Sequence, residues 1–188
     1  RGVGRGGGRG EPRLINASIS RAACPQEIFS IVRDHHRELD HIHVSTAFNK
    51  LGIMAKKQDL WLRRLTADED FQKLLGLACS LAAESKFGSQ AVANTTHGIA
   101  KLHEAGRLDA ADGSVDVALA ALEGEAVRMA PGMQPQNVTN TIYASGVMGR
   151  MPEDETWAAL ETAAVRVARD MNPQAVANVM SAYAKLER

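Results

Sequence analysis

Histidine is the side chain best suited to metal binding or proton transfer near neutral pH. Four of the six histidines fall together: His35, His36, His41 and His43, with Asp34 and Asp40 beside them. A metal needs ligands that converge on one point. Residues at i and i+2 of a helix point to different sides, so His41 and His43 cannot bind a shared ion from one face. The spacing predicts ordinary surface or helix-junction histidines, and no metal. Cys24 and Cys79 lie far apart and give neither a disulfide framework nor ligand spacing; they read as two buried thiols of a reducing compartment. Gly2, Gly4 and Gly7 satisfy G-x-G-x-x-G, but no strand precedes them to build a phosphate turn. The sequons at Asn94-Thr95-Thr96 and Asn137-Val138-Thr139 fall within or at the start of predicted helices and are read as accidental. No nucleophile has a base partner, and no carboxylate pair has a role. Neither catalysis nor a cofactor is expected.

Cations offer a second chemistry, the binding of phosphates. Arg128 and Arg166 are 38 residues apart, and Arg33, Arg37 and Lys73 are predicted to lie on helices away from their apolar stripes. These five are the candidate RNA contacts. Each neutralised phosphate steepens the salt dependence of binding. The competing reading is a solvated face tied up in intrahelical pairs. Global composition lends no weight to the phosphate reading: Lys+Arg and Asp+Glu are 22 each, where a free-standing nucleic-acid module carries a basic excess. Aromatics at 4% exclude a dense base-stacking platform. No apolar run approaches the ~18 residues of a membrane span. Residues 1–13, RGVGRGGGRGEPR, have nothing to bury and predict a flexible Gly/Arg-rich arm, able to touch RNA phosphates or left over from processing.

The elements that position these residues come from a repeat. Ala126-Val127-Arg128-Met129-Ala130, with Met133, Pro135, Gln136, Val138 and Asn140, returns 38 residues later as Ala164-Val165-Arg166-Val167-Ala168, with Met171, Pro173, Gln174, Val176 and Asn178. A fixed period of this length signals stacked helix pairs. The first helix of each pair has an apolar stripe: Phe71, Leu74, Leu75, Ala78 and Leu81 in one, and Trp157, Leu160, Ala164 and Val167 in another. Pro25 and Pro152 are placed in first turns, and Thr66 with Glu69 has capping-box spacing. The second helices align on Val44, Val92, Val138 and Val176, at spacings of 48, 46 and 38. Eight residues after each valine stands a small residue, Gly52, Ala100, Gly146 or Ala184, which lets backbones approach closely. Five before it stands an apolar one, Leu39, Phe87, Met133 or Met171. The result is an all-α solenoid over 14–188. It has four helix-turn-helix repeats at about 24–55, 66–104, 114–150 and 152–188, with insertions at 56–65 and 104–114. The first insertion is expected to place Leu60, Trp61 and Leu65 on the core.

At these aligned helices the chain resembles the octotricopeptide-repeat family, whose second helix reads P-Q-x-hydrophobic-A-N-x-x-x-A-x-A-K-L. Pro173, Gln174, Val176, Ala177, Asn178, Ala182, Ala184, Lys185 and Leu186 carry the likeness best, followed by Gln90, Val92, Ala93, Asn94, Ala100, Lys101 and Leu102. The first pair, with Thr46 for the asparagine, is also similar to the repeats of FAST-kinase-like and RAP proteins. The resemblance implies an imported mitochondrial or plastid protein whose targeting peptide is absent from this chain. It implies a partner in single-stranded or structured RNA, for maturation, stability or translation of transcripts or within a ribonucleoprotein particle. It further implies that the pattern residues hold the repeat together and do not contact ligand. The alternative is a non-catalytic scaffold subunit docking other proteins in a large organellar assembly, such as a mitoribosome or a membrane complex that it serves as an accessory. Ending after a finished unit, the chain is compatible with further repeats.

Overall fold

The computed structural model describes residues 11–55, 65–109 and 112–187. Among these residues there are nine α-helices and no strand. They are α1 (Glu11–Arg21), α2 (Pro25–His35), α3 (His41–Ala55), α4 (Glu69–Ala83), α5 (Ser89–Glu104), α6 (Ser114–Met129), α7 (Pro135–Met148), α8 (Asp154–Val167) and α9 (Pro173–Lys185). Proline opens α2, α7 and α9, where its fixed φ suits the first turn and its missing N–H is not needed. Two expected start signals are corrected. Pro152 lies before the N-cap Glu153, outside the first turn of α8. The cap of α4 is Asp68, whose side chain accepts from the N–H groups of Asp70 and Phe71. Thr66 sits instead in a 3-10 turn, where its hydroxyl accepts from the N–H of Asp109.

The helices form two layers. The first helices α2, α4, α6 and α8 stack in chain order, and the second helices α3, α5, α7 and α9 stack beside them. Between the layers run the large buried side chains. Phe48 and Phe29 both meet Phe71 edge-on, at centroid distances of 6.0 and 6.5 Å. Leu74, Leu122, Ile142 and Leu160 continue this core along the stack.

The second-helix layer is the tighter of the two, and the small residues explain why. A Cβ added to Gly52 would lie 3.0 Å from the Gly98 carbonyl oxygen, and one added to Gly98 would lie 2.4 Å from the Phe48 oxygen. At the last junction a Cβ on Gly146 would lie 2.5 Å from the Ala182 Cα. In each case the residue eight after the valine of one unit meets the residue six after the valine of the next. Ala100 and Ala144 hold those positions at the middle junction, and both are buried.

Helix α1 starts at Glu11, so residues 11–13, expected in the arm, form its first turn. It packs on α3 as a further member of the second-helix layer. Pro12, Ile15 and Ile19 have the spacing of Pro135, Val138 and Ile142, and both isoleucines are buried. Of the first insertion, residues 56–64 lie outside the described residues, Leu60 and Trp61 among them; Leu65 is buried as expected. The second insertion is pinned at its flanks, where the Leu65 N–H donates to the Arg107 carbonyl.

Candidate nucleic-acid interface

Four of the five candidate cations are engaged within the chain. Arg33 on α2 donates to Asp70 Oδ2 at 3.1 Å, and Lys73 on α4 to Asp70 Oδ1 at 2.8 Å. They converge on a carboxylate that is largely buried, and Arg33 thereby ties α2 to α4. Arg37, expected on the first helix, lies in the turn after α2 and is exposed, with no bond to the other described residues.

Arg128 and Arg166 repeat one contact. Arg128 Nη2 donates to the Phe87 carbonyl at 2.7 Å and the Ser85 carbonyl at 3.1 Å. Arg166 Nη2 donates to the Met133 carbonyl at 2.7 Å and the Ala130 carbonyl at 3.0 Å. Phe87 and Met133 are equivalent positions, five before the valine of their units. Each arginine therefore reaches back to the end of the preceding first helix, where carbonyls lack intrahelical partners and the helix dipole favours a cation. Arg128 is held further by Glu125, whose Oε1 and Oε2 accept at 2.8 and 2.6 Å. The pairing raises the Arg128 pKa above its ordinary value, the hydrogen bond it donates to Glu125 being the larger cause and the charge of Glu125 the lesser, against some desolvation. Glu125 also accepts the Phe87 N–H at 2.9 Å. The ladder of arginines is an inter-unit clamp.

Charge is sorted between the layers. The first helices α2, α4, α6 and α8 carry ten carboxylates against four Lys and Arg residues, all four engaged as above. The second helices α3, α5, α7 and α9 carry three lysines and a single carboxylate, Glu104 at the last residue of α5. Their exposed face is built of amides and hydroxyls. Two before the valine stand Gln90, Gln136 and Gln174; two after it stand Asn94, Asn140 and Asn178, half-buried. The first pair has Ile42 and Thr46 at these positions.

These columns line grooves between the N-terminal ends of neighbouring second helices. One groove of about 500 Å³ lies between α3 and α5, bordered by Asn16, His41, Thr46, Gln90 and Asn94. Its counterpart between α7 and α9, of about 480 Å³, is bordered by Gln136, Thr139, Asn140, Gln174 and Asn178, with Asp170 its one carboxylate. Each contains a buried oxygen with no hydrogen-bond partner: Asn16 Oδ1 in the first, Thr139 Oγ1 in the second. Chemically the grooves offer paired donors and acceptors, positive helix ends and almost no negative charge.

These glutamines and asparagines are the repeat columns expected to hold the units together; the glutamines are exposed and the asparagines half-buried. The histidines are helix-junction and surface groups: His43, buried, accepts the Asp40 N–H at Nδ1 and contacts the Pro12 carbonyl at 2.7 Å through Nε2, joining α1 to α3. The His41 ring packs 6.3 Å from Phe87. Among the described residues no three His, Cys, Asp or Glu side chains group to hold a metal. Cys24 and Cys79, expected to be buried, are free and half-buried; desolvation raises the Cys79 pKa, offset in part by a backbone hydrogen bond. No helix among the described residues is long and apolar enough to cross a membrane. No family model matches the chain, and no curated protein matches it.

Proposed function

We propose that this solenoid binds single-stranded RNA along its second-helix face, as a non-catalytic organellar protein of the octotricopeptide-repeat kind. It would act on transcript maturation, stability or translation, or inside a ribonucleoprotein particle. The observation that carries the reading is the sorting of charge: a polyanion is repelled by the carboxylate-rich first-helix layer and accepted by the nearly acid-free second. Repeated amide pairs suit base edges, which they can hydrogen-bond from both donor and acceptor sides. The five cations first singled out do not carry it, since four stabilise the fold.

The test is a titration of labelled single-stranded RNA at two salt concentrations. Asn94→Asp/Asn140→Asp/Asn178→Asp adds three charges to the second-helix face with almost no change of shape. Gln26→Glu/Ala120→Asp/Ala158→Glu adds three to the exposed side of the first-helix layer. The first triple is expected to weaken binding by about tenfold or more, or about 1.4 kcal/mol. The second should change it little. Equal losses from both triples, or no binding at low salt, sinks the reading. A second reading, a structural subunit of a large organellar assembly, is favoured by the exposed apolar face that Val165, Val176 and Met180 form on α8 and α9.

A further inference from the structure

Asp170 is an exception to the sorting of charge. It stands in the 3-10 turn Ala168–Asp170 that leads into α9, and it is the one carboxylate bordering the groove between α7 and α9. Among the described residues no hydrogen bond or ion pair engages its side chain. The same register position, six before the valine, is Lys86 in the second unit and Gly132 in the third. A carboxylate repels phosphate, so on a face that takes RNA its favourable contacts must be with groups other than the sugar-phosphate backbone. The rest of the groove supplies donors. Gln174 Nε2 donates to Asn178 Oδ1 at 2.9 Å, which occupies that oxygen and leaves the Asn178 Nδ2 hydrogens to the groove. Thr139, 3% exposed, borders the same space with a hydroxyl that has no partner among the described residues. Gln134, the N-cap of α7, makes no side-chain cap bond, so the positive end of that helix stays open. At about 480 Å³ the groove has the size of a small-ligand site, about 300–1,000 Å³.

We propose that this groove binds a guanine base of single-stranded RNA, with Asp170 as the residue that selects it. The inference rests on the RNA reading above and deepens it. An ionised carboxylate only accepts hydrogen bonds, through two oxygens side by side. Guanine presents two adjacent donors, N1–H and N2–H, which those oxygens accept together. Adenine and cytosine each set their amino group beside the lone pair of a ring nitrogen, and uracil flanks its single N3–H with two carbonyls. In all three, one carboxylate oxygen would face an acceptor. Guanine O6 then accepts from the amide and hydroxyl donors of the same groove. Recognition of this edge needs an unpaired base, so the substrate is single-stranded. The groove between α3 and α5 has no carboxylate among its described border residues, so the selection is not shared by every groove.

The test titrates the full chain at low salt with short uridine oligonucleotides carrying one central guanosine, inosine or adenosine. Inosine keeps N1–H and O6 and lacks only the N2 amine, so it removes half of the carboxylate's contact. The guanosine strand is expected to bind about tenfold tighter than the other two. Asp170→Asn should erase that preference by weakening the guanosine strand, while the other two bind as tightly or more tightly because a negative charge is gone. Asp170 is exposed, so the variant should keep the unfolding midpoint of the parent. No guanosine preference, or a preference that survives Asp170→Asn, overturns the inference and leaves the RNA reading standing. No binding of any strand overturns both. Guanosine monophosphate that binds through Asp170 while no strand binds assigns the groove to a free nucleotide and overturns the choice of RNA.

Discussion

Replacing Arg128 by alanine separates a structural arginine from an RNA-binding one. Glu125 has a side chain only 4% exposed, and its two oxygens are held by Arg128 at 2.8 and 2.6 Å and by the Phe87 N–H at 2.9 Å. Alanine leaves the carboxylate buried with a single neutral donor, and also frees the Ser85 and Phe87 carbonyls. Removing one partner of a fully buried pair costs about 3–5 kcal/mol. Arg128 is 38% exposed, so water enters the vacated space and screens the carboxylate, which lowers the expected loss to about 1.5–3 kcal/mol. For a chain of this size that is a fall of roughly 4–8 °C in Tm. Adding Glu125→Gln removes the uncompensated charge, so the double variant should recover about 1 kcal/mol of the loss. Arg166→Ala should cost only about 1 kcal/mol, because the residue equivalent to Glu125 there is Ala163. Urea denaturation and RNA titration are run on the same preparations. An Arg128→Ala protein with an unchanged midpoint and weakened RNA binding refutes the clamp and restores the phosphate contact.

Gly98→Ala and Gly124→Ala make a matched pair. At Gly98 the new Cβ would press 2.4 Å from the Phe48 oxygen, and overpacking of about 1–3 kcal/mol should outweigh the ~1 kcal/mol of helix propensity gained. At Gly124 nothing lies within 4 Å, and denaturation should show about 0.5–1 kcal/mol of stabilisation. The Tyr183 hydroxyl donates to Glu161 at 3.0 Å, and desolvation first, then that bond and the charge of Glu161, push its pKa up to about 12. A raised folded pKa means the contribution is complete below the unfolded value near 10 and is lost as pH climbs toward 12. Phenolate absorbance in a Tyr143→Phe background should therefore rise near 12, and Tyr183→Phe should flatten the alkaline loss of stability; a midpoint near 10 contradicts the bond to Glu161. Ile42→Gln/Thr46→Asn extends the amide columns into the first pair. Ile42 is 48% exposed, so stability should hold within about 0.5 kcal/mol while RNA affinity rises.

The fold was legible because packing repeats. Val138 and Val176, Met133 and Met171, and Gly52 with Gly146 recur at positions that fix which helix face is buried and how closely neighbours approach. Helix α1 was missed because its match, Pro12, Ile15 and Ile19, is short and follows a glycine-rich stretch that resembles nothing folded. What the candidate residues face was less legible, for two physical reasons. Periodicity shows that Arg128 and Arg166 are equivalent but not what they face, and the carbonyls of Phe87 and Met133 have no side-chain signature. The asparagines two after the valine recur in step with core residues, yet they are only half-buried. Recurrence marks register, and burial is a separate property that needs the neighbouring unit in place.

The two layers solve stacking by different means, and the difference determines where a ligand can sit. First helices are joined by long side chains: Arg33 reaches Asp70, Arg128 reaches the turn after α4, and Arg166 reaches the turn after α6. Those contacts consume every cation of that layer and leave most of its carboxylates facing water. Second helices are joined by near-absent side chains, Gly52 against Gly98 and Gly146 against Ala182. Contacts of that kind need no polar group, so stacking does not consume the outward glutamines and asparagines, although Gln174 donates to Asn178 within α9 at 2.9 Å. A substitution in those columns can then change what the surface recognises with little effect on how the helices stack. That separation puts adhesion between first helices in their arginines and leaves the second-helix face as the one the proposed RNA binding would use.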